Sequence, residues 1–143
     1  MFKKKQKSSL SIPTNKVRYQ IWTVVYIESS DEYFIITGTK AMRKIISQRA
    51  ALSWSALPVK TSTEALVDYL LTGRAGFRPG TILKSVVNGS CYFIGGTQIY
   101  EALRMPIVTP DFWEVALYDK TKAIEVSLIE LYFHKEGESI NNV

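Results

Sequence analysis

Between Thr81 and Gly96 the chain reads TILKSVVNGSCYFIGG, and this stretch constrains the fold more than any other. Two apolar runs flank Asn88-Gly89, a pair that tolerates the positive φ needed at both central positions of a type I′ turn. Pro79-Gly80 bounds the element on one side and Gly95-Gly96 on the other. A β-hairpin is expected here, with its first strand at 81–87.

The surrounding chain supports a packed domain. Of its 143 residues 46% are hydrophobic and 22% charged, so a core is expected rather than general disorder. One cysteine, Cys91, excludes an internal disulfide and a cysteine-rich zinc site. No run has the length of a signal peptide's apolar segment or of a membrane span. The expectation is a cytoplasmic protein with no membrane contact and no cofactor.

Taken in order, residues 1–16 read as a flexible basic arm, 17–135 as a single compact domain and 136–143 as a polar tail. Alternation over Arg18–Ile27 predicts a strand with large apolar groups on both faces. Tyr33–Ile36 predicts a second strand. Thr39 is placed to cap a basic amphipathic helix over 40–52, with Met42, Ile45 and Ile46 on its apolar stripe. Trp54, Leu57 and Val59 read as core anchors. Thr61-Ser62-Thr63-Glu64 has capping-box spacing, predicting a helix over 62–71 that ends at Thr72-Gly73. Thr97 can cap a short helix carrying Ile99, Tyr100, Ala102 and Leu103. Phe112–Tyr118 is a further strand candidate. Ala123–Phe133 reads as a long strand whose apolar parity switches midway, through a bulge or two-sided burial. The fold class is therefore α+β, a mostly antiparallel sheet with two or three helices.

The segments 33–45 (YFIITGTKAMRKI) and 92–103 (YFIGGTQIYEAL) are alike, with Gly38-Thr39 and Gly96-Thr97 in register. Each follows an earlier strand, at a spacing near 58 residues. Residues 18–52 and 81–105 are thus open to two readings: related strand–strand–helix units, or common local grammar.

No catalytic constellation emerges. Gly95-Gly96-Thr97 would present amides to an anion, but neither nucleotide-loop fingerprint is present. The sole histidine, His134, is expected at a surface or boundary position, and Cys91 in the core. The segment IGGTQIYEAL resembles a strand–turn–helix piece of dihydrofolate reductases through Gly95, Gly96 and Tyr100. That family's amino-terminal substrate and cofactor portions have no counterpart here. VVY at 24–26, YFI at 33–35 and Arg43 resemble GIY-YIG nucleases, which cut phosphodiesters with tyrosines, an arginine and a metal-binding glutamate. Both motif glycines are absent from their expected places, and the later helix offers Asp68 and Tyr69. A noncatalytic protein with no metal site is the expectation.

Charge is unevenly spread. Residues 1–52 carry ten Lys/Arg against Glu28, Asp31 and Glu32, while the rest carries eight basic and ten acidic side chains. Lys40, Arg43, Lys44 and Arg49, joined by Lys16 and Arg18, are the candidate nucleic-acid-binding residues. The expected function is phosphate contact by the basic helix and the arm of a small nucleic-acid-associated accessory protein, with DNA and RNA both open. The alternative is a protein-interaction or assembly subunit, including a virion-associated one. It would use an acidic protein surface as partner, and a homo-oligomer is allowed.

Overall fold

The computed structural model describes residues 17–96, 98–108 and 122–140. The first half holds β1 (Val24–Ile27), β2 (Glu32–Gly38), β3 (Ala41–Ile45), α1 (Gln48–Trp54) and β4 (Val59–Thr61). A 3-10 turn at Glu64–Leu66 and β5 (Leu70–Ala75) follow. The second half holds β6 (Ile82–Ser85), β7 (Cys91–Gly95), β8 (Leu103–Pro106), β9 (Ile124–Val126) and α2 (Leu128–Phe133). One sheet has the order β4-β1-β2-β3-β5, the other β8-β7-β6-β9. The consecutive strands β1-β2-β3 and β6-β7-β8 pair antiparallel. Returning strands β4, β5 and β9 pair in parallel with β1, β3 and β6. The class is α+β, with two α-helices among the described residues.

The two sheets share one wiring. A shift of 58 positions carries Val24↔Ile35 onto Ile82↔Phe93 and Tyr26↔Tyr33 onto Lys84↔Cys91. The parallel pair Val25↔Val59 recurs as Leu83↔Ile124. Met42↔Leu71, between β3 and β5, recurs as the bridge Arg104↔Glu136. The turns before the first strands match as well. Thr23 N–H donates to Gln20 O, and Thr81 N–H to Arg78 O, both at 3.1 Å. Trp22 N–H donates to Ile36 O, and Gly80 N–H to Ile94 O, both at 2.7 Å. Positive φ recurs too, at Trp22 (79°) and Gly80 (96°), and at Asp31 (55°) and Gly89 (75°).

Each half also ties its entry to its exit. Tyr19 N–H donates to Tyr69 Oη at 2.8 Å, and Phe77 N–H to His134 Nε2 at 3.0 Å. A Leu buried three residues before each acceptor, Leu66 or Leu131, anchors the exit segment. One apolar cluster joins the sheets: Val24, Ile35, Ile45, Ala50 and Ala51 meet Phe77, Leu83, Ile94 and Leu131. The other face of the first sheet buries Val25, Phe34, Ile36 and Met42 under Leu66 and Tyr69.

Several sequence expectations are corrected. The Thr81–Gly96 hairpin forms, but its loop runs from Val86 to Ser90 and only Gly89 takes positive φ. Asn88 instead accepts Ser90 N–H through Oδ1 at 2.9 Å. The strand expected from Arg18 begins only at Val24, because Gln20–Thr23 turns. Residues 41–45 are strand, not basic helix. Gly38 pairs with Ala41 across a tight Thr39-Lys40 turn, and β3 is paired on both edges, by β2 and β5. Two ladders outweigh the local helix preference of this stretch. The helix starts later, where Ser47 Oγ accepts Ala50 N–H.

The helix expected over 62–71 shrinks to the 3-10 turn, and Thr72-Gly73 lies within β5. Leu57 is exposed, and so is Val59. The stretch 98–102 is turn, leading into β8. The parity switch in 123–133 is a change of element. Ser127 ends the strand and forms a capping box with Glu130 at the start of α2. The strand candidate at 112–118 lies outside the described residues, as does Thr97.

His134 is core rather than surface, 1% exposed. Its Nε2 accepts Phe77 N–H, so the proton sits on Nδ1, which donates to Ala102 O at 2.6 Å. Burial lowers its pKa below the ordinary 6.5, helped by the Arg104 charge and opposed by the Ala102 bond. The unfolded chain therefore binds the proton more readily than the folded one. This contribution to stability is expected to be complete above the unfolded value and to be lost as the pH falls through the folded pKa. Urea midpoints between about pH 7.5 and pH 5 check it. The decline should flatten in His134→Gln, and an unchanged profile in that variant would refute the assignment.

Candidate aromatic groove at the seam between the two halves

Trp22 carries the strongest local anomaly. A bulky residue at φ 79° is a backbone outlier, and the matching turn of the second half uses glycine there. The conformation is held by the long-range bond from Trp22 N–H to Ile36 O. It leaves the indole 45% exposed, stacked on Trp54 with centroids 5.9 Å apart and planes 6° from parallel.

Trp54 is positioned by α1. Ala50 and Ala51 are small enough to seat the helix directly on the core. The last turn of α1 then grips the linker between halves. Trp54 Nε1–H donates to Gly76 O at 2.8 Å, and Ser53 Oγ accepts Arg78 N–H at 3.0 Å. Tyr100 completes the set, 5.6 Å from Trp22 and 6.5 Å from Trp54. The Arg43 guanidinium lies 4.6 Å from the Tyr100 ring centre, a cation–π distance. Burial raises the Tyr100 pKa, with Arg43 partly opposing it, so the phenol stays neutral.

The two tryptophans border a groove of about 390 Å³ whose lining also includes Arg78, Pro79 and Ile99. Its two sides come from matching turns, Gln20–Thr23 of the first half and Arg78–Thr81 of the second. Among the described residues the lining contains one cation and no carboxylate.

The basic residues singled out in the sequence do not converge. Strand geometry sends Arg43 and Lys44 to opposite faces of the first sheet. Arg43 reaches the seam, donating to Arg74 O at 3.1 Å and lying 3.8 Å from Glu101. Lys44 pairs with Glu32 at 3.0 Å. Arg49 lies 3.4 Å from the buried Glu130 carboxylate. Burial raises the Glu130 pKa, but bonds from Ser47 and Ser127 and the Arg49 charge outweigh it and hold it below the ordinary value. Lys40 is exposed in the β2–β3 turn, and Arg18 is exposed before the Gln20–Thr23 turn. Lys16 lies outside the described residues. Arg43 thus reaches Tyr100 beside the groove without being one of the groove's lining residues.

Sequence reasoning missed Trp22, Trp54, Tyr100 and Arg78 as a group. One signal was available: QIWT at 20–23 aligns with RPGT at 78–81, setting a tryptophan where the other copy has glycine. Among the described residues no cluster of three or more His, Cys, Asp or Glu side chains is arranged to hold a metal. No helix among them is long and apolar enough to cross a membrane. No protein-family model, curated protein or solved structure matches this chain.

Proposed function

We propose that the protein is a noncatalytic binder of single-stranded nucleic acid, with the groove lined by Trp22, Trp54 and Arg78 as its site and Tyr100 beside it. The observation that carries the reading is Trp22, held half-exposed in a strained backbone where its counterpart is glycine. Strain of this kind persists where the surroundings over-determine it, and it clusters at binding sites.

The lining selects the ligand class. Exposed indoles accept any flat ring, and each stacked base contributes roughly 1–3 kcal/mol. A cationic ligand is disfavoured because Arg78 is the charged group among the described residues lining the groove. Sugar recognition would call for hydrogen-bonding Asp, Asn, Glu or Gln, and the described residues of the lining include none. Flat rings joined by phosphates fit aromatic faces flanked by Arg78 and, beside Tyr100, Arg43. Contact is therefore by base stacking with modest sequence preference, not by a basic helix.

The test is titration of the full chain with a short oligothymidylate, followed by tryptophan fluorescence at low and high salt. Saturable quenching that weakens with salt is expected, and Arg78→Ala should lower affinity by about tenfold. The reading fails if no oligonucleotide binds at low salt. It fails equally if a polyproline peptide fills the groove and the oligonucleotide does not.

A further inference from the structure

We propose that the outer face of α2 and the trough beside it dock an acidic, amphipathic segment of a partner protein. Leu128, Ile129 and Tyr132 project from this six-residue helix, with Ile129 84% exposed. With Phe133 and Arg74 they border a depression of about 450 Å³. The fold does not require this apolar surface. The turn in the same place in the first half begins after Ser62 as α2 begins after Ser127, and it carries Thr63, Glu64, Val67 and Asp68 at the matching positions. Four adjacent apolar or aromatic residues on the outside of one copy, against one in the other, mark a surface with its own use.

Charge names the occupant. Arg74 sits 5.3 Å from the Phe133 ring centre, and Arg104 sits 4.6 Å from that of Tyr132. A second depression shares Arg74 and Phe133 and adds Arg43 and Lys135, with Glu101 as the one acid among the described residues lining it. Apolar anchors rimmed by cations complement apolar side chains rimmed by carboxylates. A second copy of this chain is disfavoured, because an isologous contact would set Arg74 and Lys135 of both copies against each other. Apart from Arg43, which also lies beside Tyr100, this docking surface uses none of the residues of the groove at the Trp22 seam.

The probe is a synthetic helical peptide with Leu at positions i, i+4 and i+7 and Glu between them, titrated into the isotope-labelled full chain. Saturable NMR shifts centred on residues 74 and 128–133 are expected, with a Kd below about 1 mM. Ile129→Asp and Arg74→Glu, both at exposed positions, should each weaken binding at least about tenfold while leaving the remaining spectrum in place. A peptide with Lys in place of Glu should bind more weakly. The proposal is overturned if the Glu peptide gives no saturable shifts, or if the Lys peptide binds as well. It is also overturned if Ile129→Asp abolishes self-association or binding to phosphatidylserine vesicles, which would assign the face to a second copy or to a membrane.

Discussion

A single methyl group added at position 76 is expected to cost the fold roughly 3 kcal/mol. A Cβ there would run into the His134 ring, 2.7 Å from Cε1, and would also lie 2.7 Å from Phe133 Cδ2. The His134 ring cannot yield cheaply. His134 is held by Phe77 N–H on one nitrogen and Ala102 O on the other, and its own carbonyl accepts from Arg104 Nη1. Moving the imidazole would strand the Phe77 amide in a site where Phe77 itself is 0% exposed. The expected figure combines overpacking, about 1–3 kcal/mol, with an unpaired buried donor of similar size, part of it recovered by relaxation. Chemical denaturation of Gly76→Ala measures it. The cycle with His134→Ala sharpens it, because removing the ring should make the added methyl much less damaging. A loss below about 1 kcal/mol in Gly76→Ala would show that the seam is softer than this packing implies.

The second large effect is at Trp22. Trp22→Gly is expected to lower oligonucleotide affinity at least about tenfold, through loss of a stacking face. It is also expected to fold more stably than Trp22→Ala, by about 1 kcal/mol or a few degrees in Tm. At an ordinary exposed position the order is reversed, since glycine has more conformational freedom to lose. The left-handed φ of 79° inverts it: alanine keeps the strain without the ring, while glycine removes both. Paired melting curves and fluorescence titrations separate fold from binding. If alanine is the more stable variant, the strain is not borne at this residue. If Trp22→Gly binds oligothymidylate as well as the parent chain does, the groove is not the site.

The structure also separates the basic residues that the expected helix would have gathered. In the expected helix, Lys40, Arg43 and Lys44 would lie three and four residues apart on one side. In β3 successive side chains alternate, so Arg43 and Lys44 separate across the sheet. One change of element turns a shared surface into two unrelated environments. The 62–71 segment has the same lesson. Its capping residues are real, since Ser62 Oγ accepts Ala65 N–H, but β5 pairing with β3 claims Leu70 to Ala75 before a helix can extend.

By itself the sequence determined what short-range chemistry encodes. The Asn88-Gly89 turn and the apolar alternation of β1, β2 and β6 each specify conformation through neighbours a few residues away. Those signals are enough for the α+β class and for the likeness of residues 33–45 and 92–103. Tertiary structure decided which segments became strands, because β3 is held by partners on both sides that are remote in the chain. It decided that His134 is buried, since its partners are Phe77 and Ala102. It also gathered Trp22, Trp54, Arg78 and Tyr100 at one seam. Their meeting depends on how two similarly wired halves pack through a common core, and core packing is a sum over distant contacts that no local pattern contains.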